Sequence, residues 1–366
     1  MPNNAQRMKL FSVPAIRRAT DPPRFTFHLS PASFILPAMP HDQEHPDFHH
    51  LTPDAVLDRV EEATGRRLSN LCRPLNSYIN RVYEVVEEDG TALIAKFYRP
   101  GRWSQDALQD EHDFLMELAE AEIPVIAPLP DPEGRTLMTA DQMHFALFPK
   151  KGGRICDEPN EDQWRELGRL LARVHLVGQA HEPRDRIHLS PDTSTADQID
   201  FILDSGLVAE ECEQEFSDAC EDVVDQIDPL FEDAECIRIH GDCHHQNIIH
   251  RPGESFYMID LDDMAVGPPV QDIWMLLPGR VADSKRELHA FLEGYETFRE
   301  FDDTSLRLVE PLRAMRYIHY TAWCARQAAD GGFARLAPDW GSPAYWQQEI
   351  RELRKQQVEI DDARRG

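Results

Sequence analysis

Past residue 50 the chain alternates between short apolar segments bounded by turn residues and longer stretches of helical character. Thr52-Pro53-Asp54 opens the first helix, with Thr52 as its cap and Pro53 in the first turn, and Gly65 stops it after Thr64. Residues 68–75, 82–88 and 92–98 then read as strands, the last two joined by the hairpin signal Asp89-Gly90. Ser104 caps a helix that runs through Ala121. Residues 125–129 and 144–148 add two more strands, with the turn Asp131-Pro132-Glu133-Gly134 between them. This pattern predicts a small, mostly antiparallel sheet with one long helix packed on it.

Lys150-Lys151-Gly152-Gly153 interrupts the pattern and reads as a flexible joint. Beyond it, helices are predicted over 161–177, 195–207, 209–227, 285–300, 305–329 and 343–360, with a β-rich patch over 236–260. The fold class is therefore α+β in two lobes, 48–150 and 151–366. Residues 1–47 carry eight prolines without sustained periodicity and read as a disordered extension. His41, His45, His49 and His50 form a loose cluster there, better read as a solvated tail than as a metal site.

Composition narrows the function. With 38 Lys plus Arg against 66 Asp plus Glu, the formal net charge is −28, a field that repels phosphate backbones and anionic lipid. Neither nucleic acid nor a membrane is an expected partner, and no apolar run is long enough to span a bilayer. The seven cysteines are odd in number and contain no CxxC pair, which argues against a disulfide framework or a zinc ribbon and fits a reducing cytoplasm.

The densest chemistry is His240-Gly241-Asp242-Cys243-His244-His245-Gln246-Asn247, followed by Met258-Ile259-Asp260-Leu261-Asp262-Asp263. Ile237 and Ile239, residues 248–249 and residues 256–259 are apolar, as buried strands are, so Asp242 and Asn247 fall in a loop between strands and Asp260 emerges at a strand end. Two carboxylates and an amide are hard oxygen ligands suited to Mg²⁺, which binds few protein oxygens plus substrate phosphates. A carboxylate left off the metal can accept a proton from a hydroxyl nucleophile. A loop of mere capping residues would not bring three such groups together between buried strands.

H-G-D-x-x-x-x-N followed by I-D-L-D-D resembles the catalytic and metal segments of kinase-like phosphotransferases, among them aminoglycoside phosphotransferases and choline kinases. The resemblance implies a protein-kinase-like fold with ATP as co-substrate. It also implies that Asp242 is the base, that Asn247 and Asp260 bind Mg²⁺, and that Asp260 is part of the catalytic set. Lys96 lies in the otherwise apolar A-L-I-A-K-F-Y, where an ammonium needs a partner or ligand. Glu111 sits on the apolar face of the following helix, so a Lys96–Glu111 ion pair satisfies both, with Asp110 as the alternative partner. No G-x-G-x-x-G covers the phosphates. Ser77, at the tip of residues 74–83, is the candidate phosphate contact, a departure that fits the aminoglycoside-kinase-like branch.

Longer motifs extend the likeness over roughly residues 48–350: N-S-Y-x-N-R-V-Y at 76–83, K-F-Y-R-P-x-R-W at 96–103, G-P-x-V-Q-D-x-W-M-L-L at 267–277 and E-P-L-R-A-M-R at 310–316. They are similar to a bacterial stress-response branch of this family. That implies a cytoplasmic, monomeric serine/threonine protein kinase linked to envelope or oxidative stress and survival. The alternative is a small-molecule kinase of the aminoglycoside or choline type. From other classes come a zinc hydrolase built on His240, Asp242, Cys243, His244 and His245, and a non-catalytic nucleotide-binding scaffold. Asp272 is either a helix cap or a brace for the catalytic loop. Arg313 and Arg316 read as solvated cations or as ligands for an anion near the site.

Overall fold

A computed structural model describes residues 48, 50–328, 333 and 337–365. The expected extension 1–47 and the predicted helix end at Ala329 lie outside the described residues.

Helix α1 (Pro53–Thr64) begins where Thr52 accepts a hydrogen bond from the Ala55 amide and ends at Gly65, whose φ of 66° gives the left-handed cap that glycine adopts without strain. Strands β1 (Leu68–Leu75), β2 (Arg81–Glu87) and β3 (Ala92–Phe97) follow, and α2 (Gln105–Glu120) starts on the Ser104 cap. Strands β4 (Met138–Ala140) and β5 (Met143–Pro149) complete an antiparallel sheet of order β1-β2-β3-β5-β4.

The sequence pattern misplaced one strand here. Residues 125–129 make no strand: Val125 forms a single bridge to Met258, and the Leu129 amide bonds to the Leu147 carbonyl. The strand that exists instead, β4, is three residues long and turns into β5 through Asp141 and Gln142, both at positive φ. That turn lacks the Asn-Gly or Asp-Gly pair that would announce it.

Side-chain alternation along β3 decides what each face of the sheet meets. Leu93, Ala95 and Phe97 join Val56 and Val60 of α1 in one buried cluster with Tyr83, Val85, Phe145 and Leu147. Lys96 points to the other face, where Tyr98, Leu108 of α2 and Ala146 pack. The sheet therefore carries a helix on each face rather than the one expected.

After β6 (Arg154–Ile155) the chain is mainly helical: α3 (Glu161–Gly178), α4 (Ala196–Asp204), α5 (Glu213–Ile227), α6 (Val270–Trp274), α7 (Lys285–Tyr295), α8 (Val309–Gln327) and α9 (Pro343–Arg365). Their apolar faces merge into one large core that also takes Phe114, Leu115 and Leu118 of α2. Several expected ends shift because short helical segments of other pitch precede the α-helices, at Pro191–Thr195, Glu210–Cys212 and Asp303–Leu308. Helix α7 stops at Tyr295, five residues early, and α9 runs on to Arg365. Two small sheets hold the loops of interest: β7 (Ile237–Ile239) with β10 (Ala265–Gly267), and β6 with β8 (Ile248–His250) and β9 (Phe256–Met258).

Candidate active site

Two loops meet between these small sheets. The first, residues 240–247, leaves β7 and ends in a tight turn at His245–Asn247 before β8. The second begins at Asp260, just beyond β9. Gly241 lets them approach: its φ is +81°, and a Cβ there would lie 2.1 Å from the Asp263 carbonyl oxygen. The Ile259 amide bonds to the Asn247 carbonyl at 3.0 Å, pinning the end of the first loop to the start of the second.

The first loop is held from beneath. Asp272, fully buried on α6, accepts from the His240 amide at 2.7 Å and from the Gly241 amide at 2.9 Å. It sits inside the helix rather than capping it, so of its two sequence readings the loop brace is the correct one. His240 donates from Nε2 to the Ile259 carbonyl at 3.0 Å, and its Nδ1 takes the Asp242 amide at 3.3 Å. The Asn247 side-chain amide donates to the Asp242 carbonyl at 2.9 Å.

The Asp242 carboxylate thus stands on a doubly tethered loop. Arg316 of α8 lies 2.7 Å from its Oδ1, and His244 Nε2 is 3.3 Å from its Oδ2. Burial alone would raise this carboxyl, but the Arg316 charge and the His244 hydrogen bond outweigh it and hold it well below the usual carboxylate range. The reading of Arg316 as a solvated cation is therefore wrong, because it is the partner of Asp242. Arg313 does not reach the loop: it pairs with Glu310 at 3.3 Å and lies over the Trp274 ring at 4.4 Å.

Across from this loop, the Lys96 ammonium is 3.6 Å from Glu111, 3.1 Å from Asp260 and 3.2 Å from Asp262. Burial alone would discharge it, but the three carboxylates keep it firmly protonated. Glu111 is also held by Arg186 at 3.3 Å. Asp110, the alternative partner, instead accepts from the Arg184 and Asp185 amides at 2.8 Å each.

Asp260 and Asp262 differ sharply despite their spacing. The Asp260 side chain is 55% exposed and its backbone is left-handed (φ 59°, ψ 61°), a conformation Asp tolerates better than most residues. Asp262 is buried, bonded by Asn80 at 3.0 Å, by Lys96 and by Arg102. Arg102 also reaches Asp263 at 2.5 Å. Asn80, Arg102 and Arg186 form this bracing set, which sequence reading did not single out. Its visible signals were the three aspartates at 260, 262 and 263, more acid than an Mg²⁺ site needs, and the places of Asn80 and Arg102 within the motifs at 76–83 and 96–103. Ser77 lies in the partly buried segment between β1 and β2. Among the described residues, no three His, Cys, Asp or Glu side chains converge as a metal-binding group. Among them, too, no helix is long and apolar enough to cross a membrane.

A lysine on the central strand of a small sheet, tied to a glutamate on the next helix and facing an aspartate-bearing loop, places the protein among the kinase-like phosphotransferases. Residues 71–309 match the phosphotransferase enzyme family, and the chain belongs to it. It is 38% identical over 307 residues to stress response kinase A of Salmonella paratyphi A, which spans 82% of this chain and 91% of that protein. The match to stress response kinase A of Escherichia coli K12 is also 38%, over 300 residues, 82% of this chain and 90% of that one. A Salmonella typhimurium relative with 38% identity, over 82% of this chain and 91% of its own length, is named serine/threonine protein kinase RdoA. In fold, the chain is similar to an amicoumacin kinase (TM-score 0.65, 18% identity, 84% of this chain and 93% of that one). It is also similar to a microcompartment-associated aminopropanol kinase (TM-score 0.63, 18% identity, 82% and 97%).

Proposed function

We propose that this phosphotransferase is an ATP- and Mg²⁺-dependent serine/threonine protein kinase acting in stress response and cell survival. The observation that carries the reading is a division of labour: a protonated lysine beside Asp260, and Asp242, paired with Arg316, on a braced loop. The 38% identity to kinases named for stress response, one of them as a serine/threonine protein kinase, favours a protein hydroxyl as acceptor. We set the boundary between the lobes at Lys150–Gly153, where the five-stranded sheet has ended and β6 turns to pair with β8.

In this mechanism Lys96 neutralises phosphate oxygens of ATP, and Glu111 keeps its ammonium aimed into the cleft. The residues from Leu75 to Asn80, with Ser77 at the tip, cover the phosphates with backbone N–H groups and a hydroxyl. Asp260 and Asn247 offer the hard oxygens that suit Mg²⁺, and the exposed Asp260 carboxylate is open to it. When bound, Mg²⁺ supplies charge neutralisation on the transferring phosphoryl group. Asp242 orients the acceptor hydroxyl and takes its proton as the new O–P bond forms and the bond from the γ-phosphorus to the β,γ-bridging oxygen breaks, releasing ADP. Its low basicity suits a loose transition state, in which the hydroxyl acidifies late and positioning provides most of the rate gain.

The test is transfer of radiolabelled γ-phosphate from ATP with Mg²⁺ to a generic basic protein, comparing the wild type with Asp242→Ala. Label on protein that disappears in the variant upholds the reading. ATP consumption only when small alcohols or aminoglycosides are supplied would move the enzyme to small-molecule acceptors. No turnover with any acceptor would leave a nucleotide-binding scaffold.

A further inference from the structure

A row of buried polar side chains runs from the protein surface to the catalytic loop, and nothing in the phosphoryl-transfer mechanism above uses it. Glu235 holds Arg299 through both carboxylate oxygens, at 2.5 and 2.6 Å. Arg299 Nη1 donates to the Tyr295 hydroxyl at 2.9 Å. That hydroxyl is 2.8 Å from His175 Nδ1, and His175 Nε2 is 3.3 Å from Asp272 Oδ2. Asp272 carries the His240 and Gly241 amides. Tyr295, His175 and Asp272 are each 0% exposed.

The hydrogen-bond directions in this row follow from the two ends. Arg299 can only donate, and both oxygens of Asp272 already accept backbone amides of the loop. The Tyr295 oxygen therefore accepts from Arg299 and gives its own proton to His175 Nδ1. His175 then carries its proton on Nε2 and donates it to Asp272. The reverse tautomer would set the bare Nε2 lone pair against a carboxylate. Burial keeps this imidazole neutral, since it pushes the pKa down more than Asp272 raises it. Between Arg299 Nη1 and Asp272 each donor points toward the catalytic loop, an alignment in which successive bonds polarise one another.

The helices are shaped for this contact. A Cβ on Gly168 of α3 would lie 2.0 Å from the Phe291 carbonyl oxygen of α7, and one on Gly294 of α7 would lie 2.0 Å from the Arg165 carbonyl oxygen. Gly168 is two turns before His175 on the same face, and Gly294 adjoins Tyr295. Two glycines thus let α3 and α7 touch backbone to backbone, which brings the phenol within reach of the imidazole. A close apolar contact alone would not require burying two polar groups there.

We propose that Tyr295 is a positioning residue, which transmits the anchoring of the Arg299–Glu235 pair through His175 to Asp272 and so sets the place of the Asp242 loop. The proposal rests on the reading of that loop as the phosphotransfer loop. The variants to compare with the wild type are Tyr295→Phe, His175→Leu and His175→Gln, the last of which retains a donor toward Asp272. Two readouts are needed: the separate kcat and nucleotide KM of phosphotransfer, and amide hydrogen exchange at His240 and Gly241. Tyr295→Phe should lower kcat roughly three- to tenfold, as one lost hydrogen bond would, with KM unchanged and exchange at the two amides accelerated. His175→Leu should lose more, and His175→Gln should fall between it and the wild type. Variants that melt earlier yet keep wild-type kcat and exchange would reduce the row to a structural one and overturn the proposal. If the wild type transfers no phosphate, the functional reading fails separately and exchange alone decides: faster exchange upholds the positioning role, unchanged exchange removes it. If His175→Leu does not fold, the same two readouts on Tyr295→Phe decide.

Discussion

Arg316 and Asp242 are 74 residues apart in the chain and lie 2.7 Å apart in the fold, so that the candidate base is paired with a cation before any acceptor arrives. A guanidinium there stabilises the carboxylate without competing for the proton it is to accept, since Arg stays charged throughout.

The pair sets a pH dependence with a definite sign. Asp242 is depressed in the folded state, so the stability it contributes is present above the ordinary carboxylate range, near pH 4, and is lost as pH falls toward its lower folded value. In Arg316→Met the burial that opposes ionisation loses its largest counterweight and has His244 and His240 against it, so the carboxyl moves up toward the ordinary carboxylate range. The acid limb of the pH–rate profile should shift upward with it, and acid unfolding should begin at a higher pH. A profile superimposable on the wild type would mean that Asp242 is not the titrating base.

Lys96→Met should lower phosphotransfer by about 10²–10³, the cost of one preorganised charge on a developing anion. Glu111→Gln should do less, because Asp260 and Asp262 still hold the ammonium. Steady-state kinetics on both variants checks this. Equal losses would show that Glu111 does more than aim the lysine.

Gly241→Ala tests how tightly the two loops must pack. The added methyl meets the Asp263 carbonyl and the residue keeps a positive φ, so a destabilisation on the order of 1–3 kcal/mol is expected. Thermal unfolding should show it, together with a fall in kcat larger than any change in nucleotide KM. Wild-type behaviour in both would mean that the loops can separate without consequence.

What the sequence disclosed depended on the range of the signal. Caps such as Thr52, Ser104 and Gly65 act within one helical turn, and they marked helix boundaries correctly. Lys96 and Glu111 were legible because each was a charge in an apolar pattern, so burial demanded a partner for both. The Arg316–Asp242 pair was only half legible: Asp242 stood out in its motif and Arg316 was a candidate ligand for an anion near the site, but 74 residues of chain between them gave no local signal that they meet. The bracing of Asp262 by Asn80 and Arg102 spans more than 150 residues and leaves no periodic trace. Strand β4 escaped for the opposite reason, being only three residues long, too short for alternation to register.

Asp260 and Asp262 are two residues apart, and their environments predict opposite responses to the same change. Asp260 is half exposed, with Lys96 as its ion-pair partner, in a backbone conformation that Asn also adopts readily. Asp260→Asn should therefore keep the wild-type melting temperature while abolishing Mg²⁺-dependent turnover, because a neutral amide is a far weaker ligand for a hard dication. Asp262 is buried among Lys96, Arg102 and Asn80, so Asp262→Asn removes the one carboxylate that Lys96 and Arg102 share, leaving Lys96 to Glu111 and Asp260 and Arg102 to Asp263. Breaking a buried pair by removing one partner costs about 3–5 kcal/mol, and the protein should unfold at a distinctly lower temperature. Calorimetry of the two variants, run beside a turnover assay titrated with Mg²⁺, separates the roles. If Asp262→Asn proved stable and inactive while Asp260→Asn remained active, the metal-facing carboxylate would be Asp262, and the loop would have to turn over when nucleotide binds.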